Sequence, residues 1–146
     1  MSQNATSTEL ADRLHSAAIH LLRRVAREDP ASGLGGPALS ALSVIVFGGP
    51  ISLGRVAEAE RVRPPTMTRT VQALEAAGLV RREPDPEDGR VVRLSATARG
   101  GSVLHAARER RVETIVEGLR RLSSEDLRAL DRAIALIERL AANELG

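Results

Sequence analysis

Apolar residues recur three or four positions apart along most of the chain, the spacing that gathers them on one face of an α-helix. The first such segment covers residues 6–25 and opens with Thr6 and Glu9, which match a helix-capping pattern. Glycine and proline in residues 29–36 predict a loop, and a second helix is predicted over residues 37–47. The amino-terminal part is therefore predicted to form two helices joined by a loop.

Two short helices joined by a tight turn are predicted next. Ser52 is expected to cap the first, which runs to about residue 60. Pro64 starts the second, because proline is tolerated in a first helical turn, where backbone N–H groups lack acceptors. Gly78 supplies the carboxyl-terminal stop of that helix. Its inward-facing residues, at positions i, i+4 and i+7, are Met67, Val71 and Leu74.

A β-hairpin is predicted over residues 79–95. Short strands at 79–82 and 90–94 flank the turn dipeptide Asp88-Gly89, and the nearby prolines are expected to keep the loop from pairing. Ser95 is then expected to cap a long helix, and the last helix starts at residue 123. The apolar stripes of these two helices consist of Leu104, Val112, Ile115, Leu119 and Leu122, and of Leu127, Leu130, Ile134, Ile137 and Leu140.

The order of these elements predicts the fold. Two short helices followed by a two-stranded ribbon are typical of a winged helix-turn-helix, so the fold class is mainly α with a minor β component. Residues 37–99 are predicted to form a winged helix-turn-helix DNA-binding region. Residues 100–146, together with residues 1–36, are predicted to form a helical dimerisation region. The stripes of the last two helices expose more apolar surface than one small core needs, which favours a two-fold dimer over a self-contained helical hairpin.

Composition removes several classes of protein. The 146 residues include no cysteine, which excludes disulfides, and the three histidines contain no His-x-x-x-His pair, which argues against a catalytic metal site. No stretch approaches the roughly 20 apolar residues of a membrane span, and the start is not an export signal, so a cytoplasmic protein is expected. No nucleophile elbow or phosphate-binding loop occurs, so neither catalytic residues nor a cofactor are predicted, and the protein is not expected to be an enzyme.

Positive charge is concentrated in the middle of the chain. The net charge is only +2, but residues 61–99 carry eight arginines against five acids. All 21 basic residues are arginine, which we attribute to genomic base composition, because they are spread along the whole chain. The position of the charge is therefore more informative than its amount.

The predicted helix after Pro64 has an outer face suited to DNA. At 100° per residue, the side opposite the apolar stripe carries Pro65, Arg69, Gln72 and Ala76, flanked by Thr66 and Thr68. Arginine can form paired hydrogen bonds to guanine and glutamine to adenine, and hydroxyls can reach phosphate. The alternative is an ordinary solvated face, but such faces usually mix acids and bases. The pattern favours a helix that enters a major groove.

Arg90 lies beside the predicted hairpin turn, where its guanidinium could enter a minor groove. Alternatively, Arg90 pairs with a carboxylate of Asp85, Glu87 or Asp88, and the acids of this loop should repel phosphate. One arrangement reconciles these expectations: Asp88 holds an arginine in place while Arg90 projects. The predicted contacts to the DNA backbone in this hairpin are Arg81, Arg82 and Arg93.

Residues 37–100 resemble the winged helix-turn-helix of the MarR family of bacterial transcriptional regulators. The run Pro65-Thr66-Met67-Thr68-Arg69-Thr70-Val71, with residues 74–82, resembles the family's recognition helix and first wing strand. Asp85-Pro86-Glu87-Asp88-Gly89-Arg90 resembles its Asp-Pro-x-Asp-x-Arg wing, and residues 92–100 resemble the segment that leaves the wing. The flanking helices match the family in order and length.

The resemblance implies a homodimeric repressor or activator whose first and last two helices intertwine. It is expected to bind double-stranded DNA at an inverted repeat, with repression favoured over activation. It places the helix from Pro65 in the major groove and Arg90 in the minor groove, with Asp88 orienting a neighbouring arginine. Pro64 and Pro65 depart from the family's usual polar residues, which removes phosphate contacts there. Gly89 replaces a residue that is often a second arginine.

The resemblance also implies a small organic effector as a candidate partner, since family members often bind aromatic or lipophilic acids between the dimer helices and the DNA-reading region. Residues 14–22 and 39–47 would line such a site. The candidate ligand residues are His15, His20, Arg23 and Phe47. The alternative function is a winged-helix module that binds protein without DNA specificity.

Overall fold

A computed structural model describes residues 3–27 and 32–142. The chain divides into two compact units, residues 1–111 and 112–146. The elements of the described residues are α1 (Gln3–Val25), α2 (Gly36–Gly48), β1 (Ile51–Ser52), α3 (Leu53–Ala59), α4 (Pro64–Ala76), β2 (Val80–Pro84), β3 (Val92–Ala96), α5 (Ala98–Leu119) and α6 (Ser124–Ala141). They confirm the predicted mainly α winged helix-turn-helix. None of the helices described is both long and apolar enough to cross a membrane.

The core of the first unit lies where α2, α3 and α4 meet the sheet. Leu42 and Ile45 of α2 and Val56 of α3 are buried there beside Leu94 of β3. Burial of each such side chain stabilises the fold by about 1.5–3 kcal/mol. The predicted inward face of α4 is confirmed, because Met67, Val71 and Leu74 all belong to this core. Fixing that face also fixes which side of α4 meets solvent.

Two polar contacts set the start and end of α3. The Ser52 side chain accepts a hydrogen bond from the Arg55 N–H (3.4 Å), which confirms the predicted cap. In the turn to α4, Arg61 has φ of +53°, a left-handed conformation that non-glycine residues rarely adopt. The Ser40 hydroxyl of α2 donates to Glu60 Oε1 (2.9 Å) at the same end of α3. The Ser40–Glu60 hydrogen bond therefore links the end of α3 to α2.

The sheet has three antiparallel strands in the order β1-β3-β2. The predicted hairpin is present as β2 and β3, paired from Val80 with Ala96 to Pro84 with Val92. Strand β1 adds a two-residue ladder to the other side of β3, with Ile51 opposite Leu94. We call the β2–β3 hairpin, residues 80–96, the wing. Strand β1 was not predicted, since two residues are too few to show an alternating pattern.

The two strands of the wing differ from the predicted ones near the tip: β2 extends further and β3 starts later. Pro84 was expected to prevent pairing, but it ends β2 opposite Val92, where an edge strand tolerates proline. The second strand was expected from residue 90, yet β3 begins at Val92. The preceding residues belong to the turn, in which the Asp85 N–H donates to the Val91 carbonyl (2.8 Å). The wing tip is therefore a tight hydrogen-bonded turn.

Two predicted helix starts are wrong. Helix α1 begins at Gln3, so Thr6 and Glu9 lie inside it and cannot cap it. Ser95 belongs to β3, and its hydroxyl donates to Glu83 Oε2 across the wing (3.2 Å). The Thr97 hydroxyl, two residues later, accepts the Gly100 N–H (3.0 Å) at the start of α5. Strand pairing carries the chain past Ser95 before the helix can begin.

Thr97 also ties the start of α5 to the end of α4. Its hydroxyl donates to the Gly78 carbonyl (2.7 Å), and its N–H donates to the Leu79 carbonyl (3.0 Å). We call residues 78–79 and 97–100 the clasp. A Cβ atom on Gly100 would lie 2.1 Å from the Leu79 carbonyl oxygen, so the clasp requires glycine at that position.

The second unit contains the end of α5 and all of α6. Ser123 and Asp126 form a reciprocal capping box at the start of α6, as the sequence predicts for this boundary. Leu122, assigned to the α5 stripe, lies beyond the end of that helix. Helix α6 has the predicted stripe of apolar residues, but none of its residues is buried in the monomer. The exposed large apolar residues of α6 are Leu127, Ile134, Leu136, Ile137 and Leu140.

Candidate nucleic-acid interface

The outward face of α4 carries the side chains that the sequence predicts. Pro65, Arg69 and Gln72 are exposed, and Ala76 continues the same side. Arg69 makes no ion pair with any described residue, so its guanidinium is available to a ligand. The only carboxylate on α4, that of Glu75, lies beyond this stripe. The face therefore presents donors and apolar groups without negative charge.

The threonines of α4 are partly engaged within the helix. The Thr68 hydroxyl donates to the Pro64 carbonyl (2.9 Å), and the Thr70 hydroxyl donates to the Thr66 carbonyl (3.2 Å). A hydroxyl has one proton to donate, so Thr68 must give up its internal bond to reach a phosphate. Thr66 is exposed, and nothing described occupies its hydroxyl. Of the two predicted threonine contacts, Thr66 is the better placed.

The arginines of β2 pair with carboxylates. Arg82 Nε lies 2.8 and 2.9 Å from the two carboxylate oxygens of Glu75, which links the wing to α4. Arg81 Nε lies 2.7 Å from Glu83 Oε1, and both of these side chains are substantially exposed. The sequence predicts both arginines as contacts to DNA phosphates. In the structure Arg82 also has a positioning role, because its ion pair with Glu75 holds the wing against α4.

Asp85 organises the wing tip. Its side chain is only 7% exposed and accepts hydrogen bonds from the backbone N–H of Glu87 (2.8 Å) and of Asp88 (3.1 Å). Arg93 Nε donates to its second oxygen. The Glu87 and Asp88 N–H groups and the Arg93 guanidinium lower the pKa of Asp85 below its ordinary value, against the opposing effect of burial. This carboxylate is therefore ionised throughout the neutral range.

Asp88 has a different role from the one predicted. Its Oδ1 accepts the backbone N–H of Arg90 (3.1 Å), and its carbonyl accepts the Val91 N–H (2.9 Å). The aspartate that holds an arginine side chain is Asp85, which corrects the expectation for Asp88. The Arg90 side chain is exposed, and among the residues that the structure describes it has no carboxylate partner. The alternative in which Arg90 pairs within the loop is thus wrong.

Comparison with known proteins identifies the fold and the family. The family model described as "MarR family" matches residues 32–91. An uncharacterised HTH-type transcriptional regulator of Mycobacterium leprae is 39% identical over 132 residues, which cover 90% of this chain and 92% of that protein. The chain belongs to the MarR family.

Solved structures of MarR proteins share its fold. A MarR family protein from Bacillus stearothermophilus superposes with a TM-score of 0.80 at 22% identity, covering 97% of this chain and 99% of that one. A Mycobacterium tuberculosis MarR family protein, whose structure is a complex with p-aminosalicylic acid, has a TM-score of 0.66 at 22% identity, covering 88% and 98%. At these identities the likeness concerns the fold.

The first unit of this MarR protein also contains a cleft between α2 and α5, with a volume of about 600 Å³. Phe47, one of the four predicted ligand residues, lines it and is 80% exposed. His15, His20 and Arg23 do not line it, since they lie on α1. The cationic side of the cleft comes from α5, which sequence reasoning missed. The α5 residues with basic side chains in the lining are His105, Arg108 and Arg111.

The α5 contribution could have been anticipated from the spacing of its residues. Leu104, His105, Arg108 and Arg111 fall three or four positions apart, so they share one side of a helix. Glu109 partly offsets this charge, because His105 Nε2 lies 3.2 Å from its Oε1. The described residues contain no group of three or more potential metal ligands. The α2 side of the cleft is mainly apolar, with Ser40 and Ser43 also in the lining, and the α5 side carries the basic residues.

Proposed function

We propose that this MarR protein is a homodimeric, sequence-specific regulator of transcription that represses by binding an inverted repeat in double-stranded DNA in the bacterial cytoplasm. Its action is binding, with no catalytic step. One observation carries the proposal: α4 exposes Arg69 and Gln72 free of carboxylates, next to a wing whose turn presents an unpaired Arg90. This pairing of surfaces suits a helix in the major groove and an arginine in the adjacent minor groove.

The dimer is supported by apolar surface that each unit leaves exposed. In the first unit, α1 exposes Leu10, Leu21 and Leu22, and in the second unit, α6 buries none of its apolar stripe. Exposed stripes of this kind on a soluble domain mark an interface. We propose that residues 1–36 and 100–146 form the two-fold contact. Such symmetry would repeat α4 in DNA half-sites about 34–36 Å apart, one helical turn.

Selection of bound sequences from random duplexes tests the proposal. A palindromic consensus should be enriched, and its half-site spacing should match one turn of DNA. A gel-shift titration against salt then separates the proposed function from a protein-binding module. DNA affinity should fall steeply with salt, because each neutralised phosphate releases counterions. No enrichment, together with no shift at low salt, would favour the protein-binding alternative.

The roles of Arg69 and Gln72 can be separated on the selected operator. Each side chain that reads a base edge should contribute about 1–3 kcal/mol of discrimination, so Arg69→Ala or Gln72→Ala should relax the preference at one position per half-site. Fluorescence anisotropy with the operator and with single-base variants measures this. Ala76→Ser, on the same exposed side, serves as the control and should leave the preferences intact. A uniform loss across all sequences would instead assign the residue to a phosphate.

We further propose that the α2–α5 cleft binds a small aromatic carboxylate that modulates DNA binding. Leu39, Val46 and Phe47 offer an apolar wall, and Arg108 offers a guanidinium that can take a carboxylate in a paired geometry. The M. tuberculosis relative solved with p-aminosalicylic acid supports the choice of ligand class. The proposal replaces the predicted α1 residues His15, His20 and Arg23 with basic residues of α5.

Calorimetric titration with p-aminosalicylate tests the cleft. Arg108→Ala should weaken binding about tenfold, since it removes a charge-assisted contact. Arg99→Ala, a charge change on the same helix outside the lining, should leave the affinity unchanged. Equal affinities for wild type and Arg108→Ala would remove this arginine from the site.

A further inference from the structure

The first turn of α4 has no backbone donor left for DNA. Pro64 and Pro65 occupy its first two positions and carry no N–H group. The next two N–H groups, of Thr66 and Met67, both donate to the Arg63 carbonyl, at 3.0 and 3.1 Å. Helix starts commonly offer such N–H groups to phosphates. The backbone of this turn cannot, so the turn presents the proline rings and the Thr66 hydroxyl to solvent.

The Pro65 ring belongs to the same face of α4 as Arg69 and Gln72, and the Pro64 ring does not. Counting about 100° per residue, Pro65, Arg69 and Gln72 fall within a sector of about 60°, whereas Pro64 lies about 100° away from Pro65. Pro65 is exposed, and so are the other two. The stripe that faces outward therefore begins with an apolar ring and continues with a guanidinium and an amide.

The major groove contains one apolar group that can match such a ring, the 5-methyl of thymine. An adenine, guanine or cytosine edge opposite Pro65 would lose water without gaining a hydrogen bond there, because the ring has no donor or acceptor and the backbone of the turn has no free N–H. We infer that Pro65 is a specificity-determining residue that contacts a thymine methyl in each half-site. This inference rests on the proposed DNA-binding function and specifies part of what the site recognises.

Replacing thymidine by deoxyuridine tests the contact, because it removes the methyl group alone. Each thymine of the selected operator is replaced in turn, and affinity is measured by anisotropy. At one position per half-site, the substitution should lower the affinity of the wild-type protein about fourfold, which corresponds to the burial of one methyl group. In Pro65→Ser the ratio of thymidine to deoxyuridine affinity should fall to about one at that position.

Pro64→Ser is the matched control, because it makes the same change in the same turn on a different side of the helix. It should retain the fourfold ratio. Each serine adds a backbone N–H and a hydroxyl that could bind phosphate. Such an effect is the same for both operators, so it cancels in the ratio of thymidine to deoxyuridine affinity. A methyl effect that survives in Pro65→Ser, or an operator without any deoxyuridine-sensitive position, would overturn the inference while leaving DNA binding intact. Absence of operator binding by wild type would instead overturn the proposed function and the inference with it.

Discussion

Gly100→Ala is expected to destabilise the protein by about 3 kcal/mol or more, the upper range for forcing a group into an occupied space. The added Cβ would lie 2.1 Å from the Leu79 carbonyl oxygen and 3.0 Å from its carbonyl carbon. Both are backbone atoms, so no side-chain rotation can relieve the overlap. That oxygen also accepts the Thr97 N–H (3.0 Å), so moving it breaks a hydrogen bond of the clasp.

Gly101→Ala provides the control for this change. Gly101 is the next residue of α5, and nothing lies within 4 Å of the position its Cβ would take. Alanine is a better helix former than glycine by about 1 kcal/mol, so this variant should be slightly more stable than wild type. Thermal unfolding followed by circular dichroism measures both variants. A similar melting temperature for Gly100→Ala and wild type would show that the α5 start can shift away from β2.

Asp85→Asn is expected to lower operator affinity about tenfold while the helical core stays folded. The neutral amide loses the charge-assisted bond from Arg93 and weakens the bonds from the Glu87 and Asp88 N–H groups, so the turn that presents Arg90 loses its fixed geometry. Arg90→Ala should lower the affinity too, without changing dimerisation or thermal stability. Asp85 is a positioning residue here, since it acts through Arg90.

A double-mutant cycle distinguishes positioning from a general structural role. If Asp85 acts through Arg90, the Asp85→Asn change should cost little once Arg90 is already alanine, so the two effects are not additive. Glu87→Gln is the control, because no described contact involves the Glu87 carboxylate, although its N–H bonds to Asp85. It should bind like wild type or slightly better, having one fewer negative charge near phosphate. Additive losses in the cycle would contradict the positioning role.

The Asp85 carboxylate determines how the stability of the wing tip is expected to depend on pH. Because its pKa is lowered in the folded protein, Asp85 contributes stability that is present above its ordinary pKa and is lost as the pH falls through the lowered value. The wing tip should therefore hold its geometry across the neutral and mildly acidic range. Asp85 stays ionised between pH 6 and 8, so it should cause no change in the operator affinity of the wild-type protein over this range. The ratio of wild-type to Asp85→Asn affinity should therefore be constant there.

The spacing of apolar residues predicted α4 correctly because the pattern recurs on each turn of the helix. Three buried residues at helical spacing determine the helix and its outward side, so the exposure of Arg69 and Gln72 followed from Met67, Val71 and Leu74. The capping residue of α5 shows the opposite case. Ser95 and Thr97 both fit a cap, and only the length of the β2–β3 ladder decides that Thr97 takes the role. Sequence alone does not give that length.

Polar partners in the wing were harder to predict than secondary structure. Asp85, Glu87 and Asp88 lie within four positions of each other, so spacing cannot tell which one turns inward. Folding decides it, because Asp85 lies at the end of β2, where Arg93 is close on β3. The cleft was partly missed for a similar reason. Its apolar wall on α2 was anticipated. Helical spacing groups the basic α5 residues on one side of that helix, but only tertiary packing decides that this side faces α2.

The clasp couples movements of the start of α5 to the segment that follows α4. Thr97 joins the last residue before the wing to the first turn of α5 by bonds to Gly78 and Leu79, with no intervening loop that could absorb motion. A shift or rotation of the first turns of α5, one wall of the cleft, must therefore carry the C-terminal end of α4 with it. If the cleft and α4 act as proposed, ligand binding should reach the DNA-reading face through the hydrogen bonds of the clasp.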